Sequence, residues 1–475
     1  MTEAADAQRA GPATAERAET FLRLMAETEL RRAQDYPGAA RPVVPAAQAS
    51  PPSADQVLDR VRAAGSALAV IGAIDDATAV SVLSGLQTAL AARSEIWNIG
   101  RYGPSLAPRN TGRPQEPPLP DGPVRAVPVA RSLPLGADGK GELRLLTLVV
   151  AADRAIVTSA IRDHAPGNRR SGTRVHPSDR FGSLWQVRVT DDRGAAYRAQ
   201  HNAEGDGLWW SGRLSLSPAP PAGLRWLEIT VAPGNDPFRV EIPAEPDATP
   251  ACRMSPVRRS KPGEQLLDRM AGVMLWRWLV TNTTGDHVLS TLAGVVAALD
   301  AAAALMPGSP ALARLVALAS RLGGALPAEL RATIRPAILP ETWLSVLADE
   351  NRADGPRSVA AVAAVLPEID ATRFAIAGLY STGETVTLHV LAWGQQPRWA
   401  AFRSGDELFS WWARDSAGRW HVGRRTRSGF SNGDADMDIT FVPPLHPAAT
   451  SLEIILTGQS AQVTVTVPVD WQAVR

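Results

Sequence analysis

The spacing of apolar residues along the chain alternates between two periods. Apolar side chains recur every three or four residues over 56–65 and 80–90, which is typical of the buried stripe of an α-helix. Asp75 and Asp76 lie between these segments and are candidate N-caps of the second helix. Over 463–467 apolar and polar residues alternate, which is typical of a β-strand with one buried face. The pattern predicts a multidomain α+β protein.

Most of the alternating segments fall in two regions. Asp-x-x-Gly turns separate them, at Asp191 in TDDRG and at Asp415 in RDSAG. Such segments predict hairpin turns, because glycine accepts positive φ and aspartate bonds its own backbone. Short strands with turn signals roughly every 8–15 residues predict an antiparallel, immunoglobulin-like β-sandwich. We place one sandwich at 123–243 and a second at 372–471.

The two β regions share sequence landmarks. Each contains a Leu-Glu-Ile motif, with Glu228 in the first region and Glu453 in the second, and each glutamate precedes a proline by fifteen residues. The strand segment LRLLTLVVA at 143–151 resembles VTLHVLAW at 386–393. These matches indicate that the second region is a copy of the first.

The similarity also includes the helices that precede each β region. QVLDRVRAAG begins at Gln56 and resembles QLLDRMAGVM, which begins at Gln265. The same offset of 209 residues, held without gaps, aligns Gly85 with Gly294. Both segments read as pairs of helices. The chain is therefore predicted to be a tandem duplication of one unit, a helical hairpin followed by a β-sandwich.

Stretches rich in proline and alanine predict linkers between these parts. The second helical region is longer than the first and includes inserted helices near 309–323 and 327–351. The predicted boundaries are an N-terminal amphipathic helix (1–35), a linker (36–53), the first hairpin (54–95), a Pro-rich linker (96–122), the first sandwich (123–243), a linker (244–262), the extended second helical region (263–351) and the second sandwich (372–471).

Composition narrows the classes of function. A net charge of +1 over 475 residues argues against nucleic acid or an anionic membrane as partner of the whole molecule. The single cysteine, Cys252, excludes an intrachain disulfide and a cysteine-rich metal site. The N-terminus lacks the features of a secretion signal and no long apolar run occurs, so we expect a cytoplasmic protein with no membrane span. The abundance of Arg, Ala and Pro suggests a bacterial genome rich in G and C.

No sequence motif indicates a catalytic or cofactor site. The seven histidines are scattered, and none shows the spacing of a helical zinc pair. The nucleophile elbow, the P-loop and the dinucleotide-binding glycine pattern are absent. We therefore expect no cofactor and no metal. A hydrolase whose site is assembled from distant residues is the third alternative for the function.

Three groups of residues are candidate interaction sites. A basic loop that only the first sandwich contains could hold phosphate or an acidic protein surface, although most such loops are simply solvated. Tryptophan doublets point to both faces of a strand, so an outward ring could stack on a sugar or a peptide, whereas core packing is the favoured alternative. The N-terminal helix has an apolar stripe that could dock on its own domain or on a partner. The residues are Arg162, Arg169, Arg170, Arg174 and Arg180 in the loop, Trp209, Trp210, Trp411 and Trp412 in the doublets, and Phe21, Leu22 and Met25 in the helix.

These features favour a non-catalytic interaction or adaptor protein that binds another protein. Duplicated modules raise the effective concentration of a second binding event. The alternative is a protein that binds a small molecule or carbohydrate through aromatic sandwich faces. The sequence leaves the partner and the oligomeric state open.

Overall fold

The computed structural model contains seven helices and nineteen strands within the part of the chain that it describes. That part comprises residues 12–34, 54–94, 124–135, 141–151, 154–163, 186–205, 209–221, 223–232, 235–243, 252–257, 261–282, 286–323, 337–348, 358–381, 384–394, 409–431, 434–470 and 472–473. The predicted linkers at 36–53 and 96–122 lie outside it. The chain divides into a helical unit (Met1–Pro114, Arg258–Leu344 and Pro397–Ser410) and a β unit (Gln115–Val257, Ser345–Gln396 and Trp411–Arg475).

The helices occupy the segments in which apolar residues recur every three or four positions. They are α1 (Pro12–Gln34), α2 (Ala54–Val70), α3 (Asp76–Ser94), α4 (Pro262–Thr281), α5 (Asp286–Ala301), α6 (Pro310–Arg321) and α7 (Glu341–Ala348). The pairs α2–α3 and α4–α5 fall on the two segments aligned by the offset of 209 residues. Asp75 caps α3, since its Oδ1 accepts a hydrogen bond from the Thr78 N–H at 2.7 Å. The predicted N-cap is therefore confirmed.

In the helical unit, close helix packing depends on one glycine. A Cβ placed on Gly294 of α5 would lie 2.8 Å from Met25 Cε in α1 and 2.9 Å from Arg60 Cγ in α2. Helix α1 is also fixed by an ion pair between Glu29 and Arg60, with 2.8 Å between Oε1 and Nη1. A Cβ placed on the counterpart Gly85 in α3 would meet no atom of a neighbouring element within 4 Å among the described residues. The two aligned glycines thus lie in different surroundings.

Two charged side chains near the start of α4 connect the helices of the second half. Lys261 Nζ donates to the carbonyl oxygens of Ala303 and Leu305, each at 2.9 Å. The buried carboxylate of Glu264 accepts from the backbone N–H of Met306 at 2.9 Å and of Ala311 at 3.1 Å. Since Ala311 lies in the first turn of α6, Glu264 satisfies backbone donors that the helix itself leaves unpaired.

The strands belong to two large antiparallel sheets, both in the β unit. The first sheet contains β1 (Arg125–Leu135), β2 (Gly141–Ala151), β3 (Arg154–Asp163), β4 (Gln186–Asp191), β5 (Ala196–Gly205), β6 (Trp209–Ser217), β7 (Trp226–Ala232) and β8 (Phe238–Glu241). The second contains β9 (Cys252–Pro256), β10 (Ser358–Ala360), β11 (Ala364–Val365), β12 (Thr372–Ser381), β13 (Val386–Gly394), β14 (Ser410–Asp415), β15 (Trp420–Ser431), β16 (Asp434–Val442), β17 (Ser451–Thr457), β18 (Ala461–Pro468) and β19 (Gln472–Ala473).

The first sheet is barrel-like. Its order is β1-β2-β3-β6-β5-β4-β7-β8, and one face of all eight strands contributes to a single apolar core. A sheet can meet such a core from every strand only by curling around it. The sequence predicted an immunoglobulin-like sandwich, which has two facing sheets, but the strands here form one continuous sheet. Alternation shows which side of a strand is buried; it does not show whether a second sheet or the same sheet covers that side.

The second sheet repeats the order of the first. Its strands run β19-β10-β12-β13-β16-β15-β14-β17-β18-β9, and the stretch from β12 to β18 follows the same order as the stretch from β2 to β8. Both sheets also have a register shift at the same place, between Leu145 and Leu148 in β2 and between Ile376 and Gly378 in β12. β1 pairs with β2 as β10 and β11 pair with β12, so β10 and β11 together take the place of β1.

This order corrects one match made from the sequence. The segment 143–151 lies in β2, whose counterpart by strand order is β12, whereas 386–393 lies in β13. The error arose because neighbouring buried strands have similar apolar composition. The predicted linker 244–262 also contains β9, a strand that depends on pairing with a distant part of the chain rather than on its own sequence pattern.

The outer faces of the two sheets pack against each other within the β unit. Val149 and Ile156 of the first sheet share an apolar cluster with Leu391 and Trp393 of the second. In the same contact the Thr158 hydroxyl donates to the carbonyl oxygen of Ala377 at 2.5 Å. The contact joins strands β2 and β3 to their counterparts β12 and β13, as equivalent surfaces meet in a two-fold dimer.

Candidate functional site

The second sheet includes a strand from outside the region 358–473, which supplies its other strands. β9 follows the first β region in sequence, yet it pairs antiparallel with β18 at the edge of the second sheet. In this register Met254 is the partner of Val463, and Cys252 is the partner of Val465. The Cys252 Sγ lies 3.9 Å from the carbonyl oxygen of Val365 in β11. β9 therefore occupies the gap between β18 and β11, which we call the second seam.

Backbone pairing and partial burial hold β9 in this seam. Beyond its last paired residue, the Val257 N–H donates to the carbonyl oxygen of Ser460 at 3.1 Å, which continues the ladder. Burial raises the pKa of the Cys252 thiol above its ordinary value. Met254 remains 52% exposed. The strand is thus anchored mainly through its backbone, the mode by which an edge accepts strands of varied sequence.

The first sheet has an equivalent gap between β1 and β8, which we call the first seam. No backbone ladder joins β1 to β8 among the described residues. Three side chains reach across instead. Arg125 Nη1 donates to the Pro243 carbonyl oxygen at 3.0 Å, and Asn235 Nδ2 donates to the carbonyl oxygen of Pro134 at 3.3 Å. The Arg131 guanidinium lies 5.7 Å from the centre of the Phe238 ring.

Equivalent positions on the two edges differ in exposure. The offset between Pro243 and Pro468 places Arg239 of β8 opposite Thr464 of β18 in the alignment. The Arg239 side chain is 57% exposed, whereas Thr464, the partner of Arg253 in β9, is 7% exposed. Among the described residues, the free edge of β8 has no ladder partner, whereas the free edge of β18 holds an added strand.

A buried polar pair lies on the outer face of the second sheet. His389 Nδ1 is 2.9 Å from Asp438 Oδ1, and the two residues are partners across β13 and β16. The Thr440 hydroxyl lies nearby, 3.1 Å from that of Thr387 and 2.8 Å from that of Thr426. A histidine–carboxylate pair is the element that general base catalysis uses. Here His389 is 0% exposed, so a substrate could not reach it without local opening.

A second buried pair stabilises the hairpin between β14 and β15. His421 Nδ1 donates to the Pro443 carbonyl oxygen at 2.8 Å, because a carbonyl can only accept, and its Nε2 lies 3.5 Å from Asp415 Oδ2. Burial raises the pKa of Asp415, but the interaction with His421 and the backbone N–H groups of His446 and Arg419 outweigh it. The pKa falls from 3.8 to about 2.

The first sheet builds the same turn with a different partner. Asp191 accepts from the backbone N–H groups of Arg193 at 2.9 Å and Ala195 at 2.8 Å, and from the Tyr197 hydroxyl at 2.7 Å. Burial raises the pKa of Asp191, but these hydrogen bonds lower it below its ordinary value overall. Burial and the Asp191 carboxylate raise the pKa of Tyr197. Both Asp residues therefore hold turns, which is a structural task.

The predicted basic loop falls mostly outside the described residues. Arg162 lies in β3, where its backbone partner across the ladder is Trp209 of β6. The residues outside the described part of the chain are Arg169, Arg170, Arg174 and Arg180. The loop's predicted role in binding stays a prediction.

The tryptophan doublets lie on strands, as expected. Trp209 and Trp210 belong to β6, with Arg162 and Ile161 as their ladder partners. Trp411 is 5% exposed and packs edge-on against Phe374, with 5.8 Å between ring centres. Its neighbour in the doublet, Trp412, is half-buried. For Trp411, core packing accounts for the ring, and ligand stacking by the doublets stays a prediction.

The apolar stripe of α1 contacts the chain's own helices. Leu22 is 0% exposed, and Phe21 and Met25 are half-buried. Met25 approaches Gly294 of α5, as described above. Leu24 on the opposite side is 56% exposed. The stripe is therefore engaged within the helical unit.

The sequence did not reveal the two seams or the buried pairs. His389 stood in a buried alternating strand, where a polar residue at an outward position was a usable signal. For β9, the offset of 209 residues gave no signal, because it aligns this strand with the predicted Pro/Ala-rich linker at 36–53. Among the described residues, no group of three or more His, Cys, Asp or Glu side chains is placed to hold a metal ion. In the same set, no helix is both long enough and apolar enough to cross a membrane.

Comparisons with known proteins assign the chain to no family. No protein-family model and no curated protein matches the chain. A search of solved structures returned a protein described as a conserved domain protein from Bacillus anthracis, with 5% identity and a TM-score of 0.17. The match covers 70% of this chain and 77% of that chain. A TM-score this low carries no argument about fold or function.

Proposed function

We propose that the chain is a non-catalytic protein-interaction protein that binds another protein. The observation that supports this most directly is the second seam, where the edge of β18 accepts β9 from outside the region 358–473. Strand addition to a sheet edge is a recurrent mode of peptide recognition, in which main-chain hydrogen bonds give affinity and side-chain pockets give specificity. A fold that adds a strand within its own chain is suited to add one from a partner.

We also propose that the molecule arose by tandem duplication of a helical hairpin plus an antiparallel β region. The common strand order, the register shift at the same place in β2 and β12, and the matching turns at Asp191 and Asp415 support this. Two linked copies can engage one partner at two places, which raises the effective concentration of the second contact.

We place this activity in the cytoplasm of a bacterium. The support is compositional: Cys252 is the single cysteine of 475 residues, and a secreted protein of this size more often uses disulfides. The carbohydrate-binding and hydrolase alternatives lack a supporting contact among the described residues. Trp411 and His389, one candidate group for each alternative, are both buried.

The test is capture of a partner by the tagged full-length chain from host lysate, with cross-linking and mass spectrometry. A captured protein is then purified and its binding measured directly, by calorimetry, against the full chain and against a chain that begins at Ser53. Saturable binding supports the proposal. Equal affinity for both forms would exclude α1 as the docking element. Absence of any saturable partner, with activity of the chain on a small-molecule substrate instead, would refute the proposal.

A further inference from the structure

Resting on the proposed interaction function, we infer that the first seam is an acceptor site for an extended peptide segment of the partner protein. The segment would add antiparallel to β8, at Phe238–Glu241, and lie between β8 and β1. The second seam provides the precedent, because β9 lies in this way against β18 and beside β11.

The inference depends on the equivalence of the free edges of β8 and β18. β8 and β18 are the last strands in the order that the two sheets share. The prolines at 243 and 468 align these two strands with each other. On β18 the residues paired with β9 run from Ala461 to Val465. By the same offset the corresponding stretch of the first sheet runs to Val240, so it includes the start of β8. One edge is filled and its copy has no ladder among the described residues.

Long side chains make most of the contacts across the first seam. Two strands that flank a third lie about 10 Å apart, since neighbouring strands are separated by about 4.8 Å. Long side chains, those of Arg125 and Arg131, make two of the three contacts that cross from β1 to the β8 side. The buried Nε of Arg125 also has no acceptor among the described residues. The carbonyl groups of an added strand would supply one.

The chemistry of β9 defines the segment that would fit. Its positions alternate between Cys252 and Met254 on one side and Arg253 and Ser255 on the other. The edge strand is short, with five residues. The partner segment is therefore a short, extended stretch with small or flexible apolar residues two positions apart and polar residues between them.

The experiment uses the full-length chain and a synthetic peptide of Ala251–Val257 that carries Cys252→Ser, a fluorophore and a photo-reactive group. Binding is measured by fluorescence anisotropy, and cross-links and hydrogen exchange locate it. We expect saturable binding, cross-links to Phe238–Glu241 and to β1, and slower exchange of the amides in both strands. A control peptide with Ser255→Pro should bind about tenfold more weakly, because the Ser255 N–H lies on the same side of the strand as the Val257 N–H, which faces the paired edge, and proline removes that donor.

Three outcomes would overturn the inference: no saturable binding, cross-links confined to Ala461–Val465 through displacement of β9, or equal binding of the proline peptide. Competition then separates this inference from the proposed function. A partner that the peptide displaces supports both. A partner that binds but resists the peptide leaves the interaction function standing and refutes the seam. If no saturable partner is found and the chain acts on a small-molecule substrate instead, the interaction function fails, while protection of β8 by the peptide still supports strand acceptance at the first seam.

Discussion

The carboxylate of Asp415 gives a quantitative test of how the second β region is held together. Its Oδ1 accepts from the Arg419 N–H at 2.9 Å, and its Oδ2 accepts from the His446 N–H at 2.9 Å and faces His421. Replacing it by Asn in the variant Asp415→Asn keeps the size of the side chain and removes the charge. We expect the hairpin of β14 and β15 to open more readily at neutral pH.

The magnitude follows from the pKa. Asp415 is 4% exposed, so solvent screens its contacts little, and its pKa falls from 3.8 to about 2 on folding. A shift of this size corresponds to roughly 2 kcal/mol of folding free energy, or about a 30-fold change in an opening equilibrium. Because the folded pKa is the lower one, this stability is fully present above the unfolded pKa of 3.8 and is lost as the pH falls toward 2.

Hydrogen exchange of the segment 410–431 measures this effect, since a chain with two units need not unfold in one step. The protection of this segment in Asp415→Asn should fall about 30-fold at pH 7 and approach that of the unmodified chain near pH 2. The matched control is Asp191→Asn, which should affect 186–205 and leave 410–431 unchanged. An equal loss of protection at pH 7 and at pH 2, or none at pH 7, would show that the carboxylate's charge is not what stabilises the turn.

Three further predictions concern the helical unit. Gly294→Ala should destabilise it by roughly 1–3 kcal/mol through overpacking, whereas Gly85→Ala should stabilise it by about 0.5–1 kcal/mol. Urea unfolding, monitored by helical circular dichroism, gives the change in unfolding free energy for each variant. Changes of the same sign in both variants would refute the difference in packing. Glu264→Gln should cost about 1–3 kcal/mol by leaving a buried N–H of the α5–α6 connection or of α6 unpaired, seen as faster exchange at the start of α6. Leu22→Ala should cost roughly 2–5 kcal/mol and speed proteolytic release of α1, while Leu24→Ala, at an exposed position, should change neither.

Local periodicity predicted much of the secondary structure. The spacing of three and four residues located α2 to α5, and Asp75 caps α3 as its position suggested. Alternation and Asp-x-x-Gly turns located the hairpin of β4 and β5 and that of β14 and β15. These elements depend on residues that are close in sequence, so the sequence pattern is sufficient to find them.

The candidate site could not be found in this way. β9 is a strand because its backbone pairs with β18, some two hundred residues later in the chain. The burial of His389 follows from the sheet around it, and its own segment only suggested a strand. The lack of a ladder partner for the free edge of β8 among the described residues likewise depends on distant parts of the chain and not on the sequence of β8.

By itself, the amino-acid sequence determined the helices and the hairpins, because periodicity and turn chemistry are local properties of the chain. Only the tertiary structure decided that each β region forms one continuous sheet, that equivalent strands β2–β3 and β12–β13 meet face to face, and that one seam is filled and the other bridged by side chains. The physical reason is that sheet closure and edge pairing are made by backbone groups, which every sequence carries. Which backbone groups meet is therefore set by the three-dimensional arrangement of the chain.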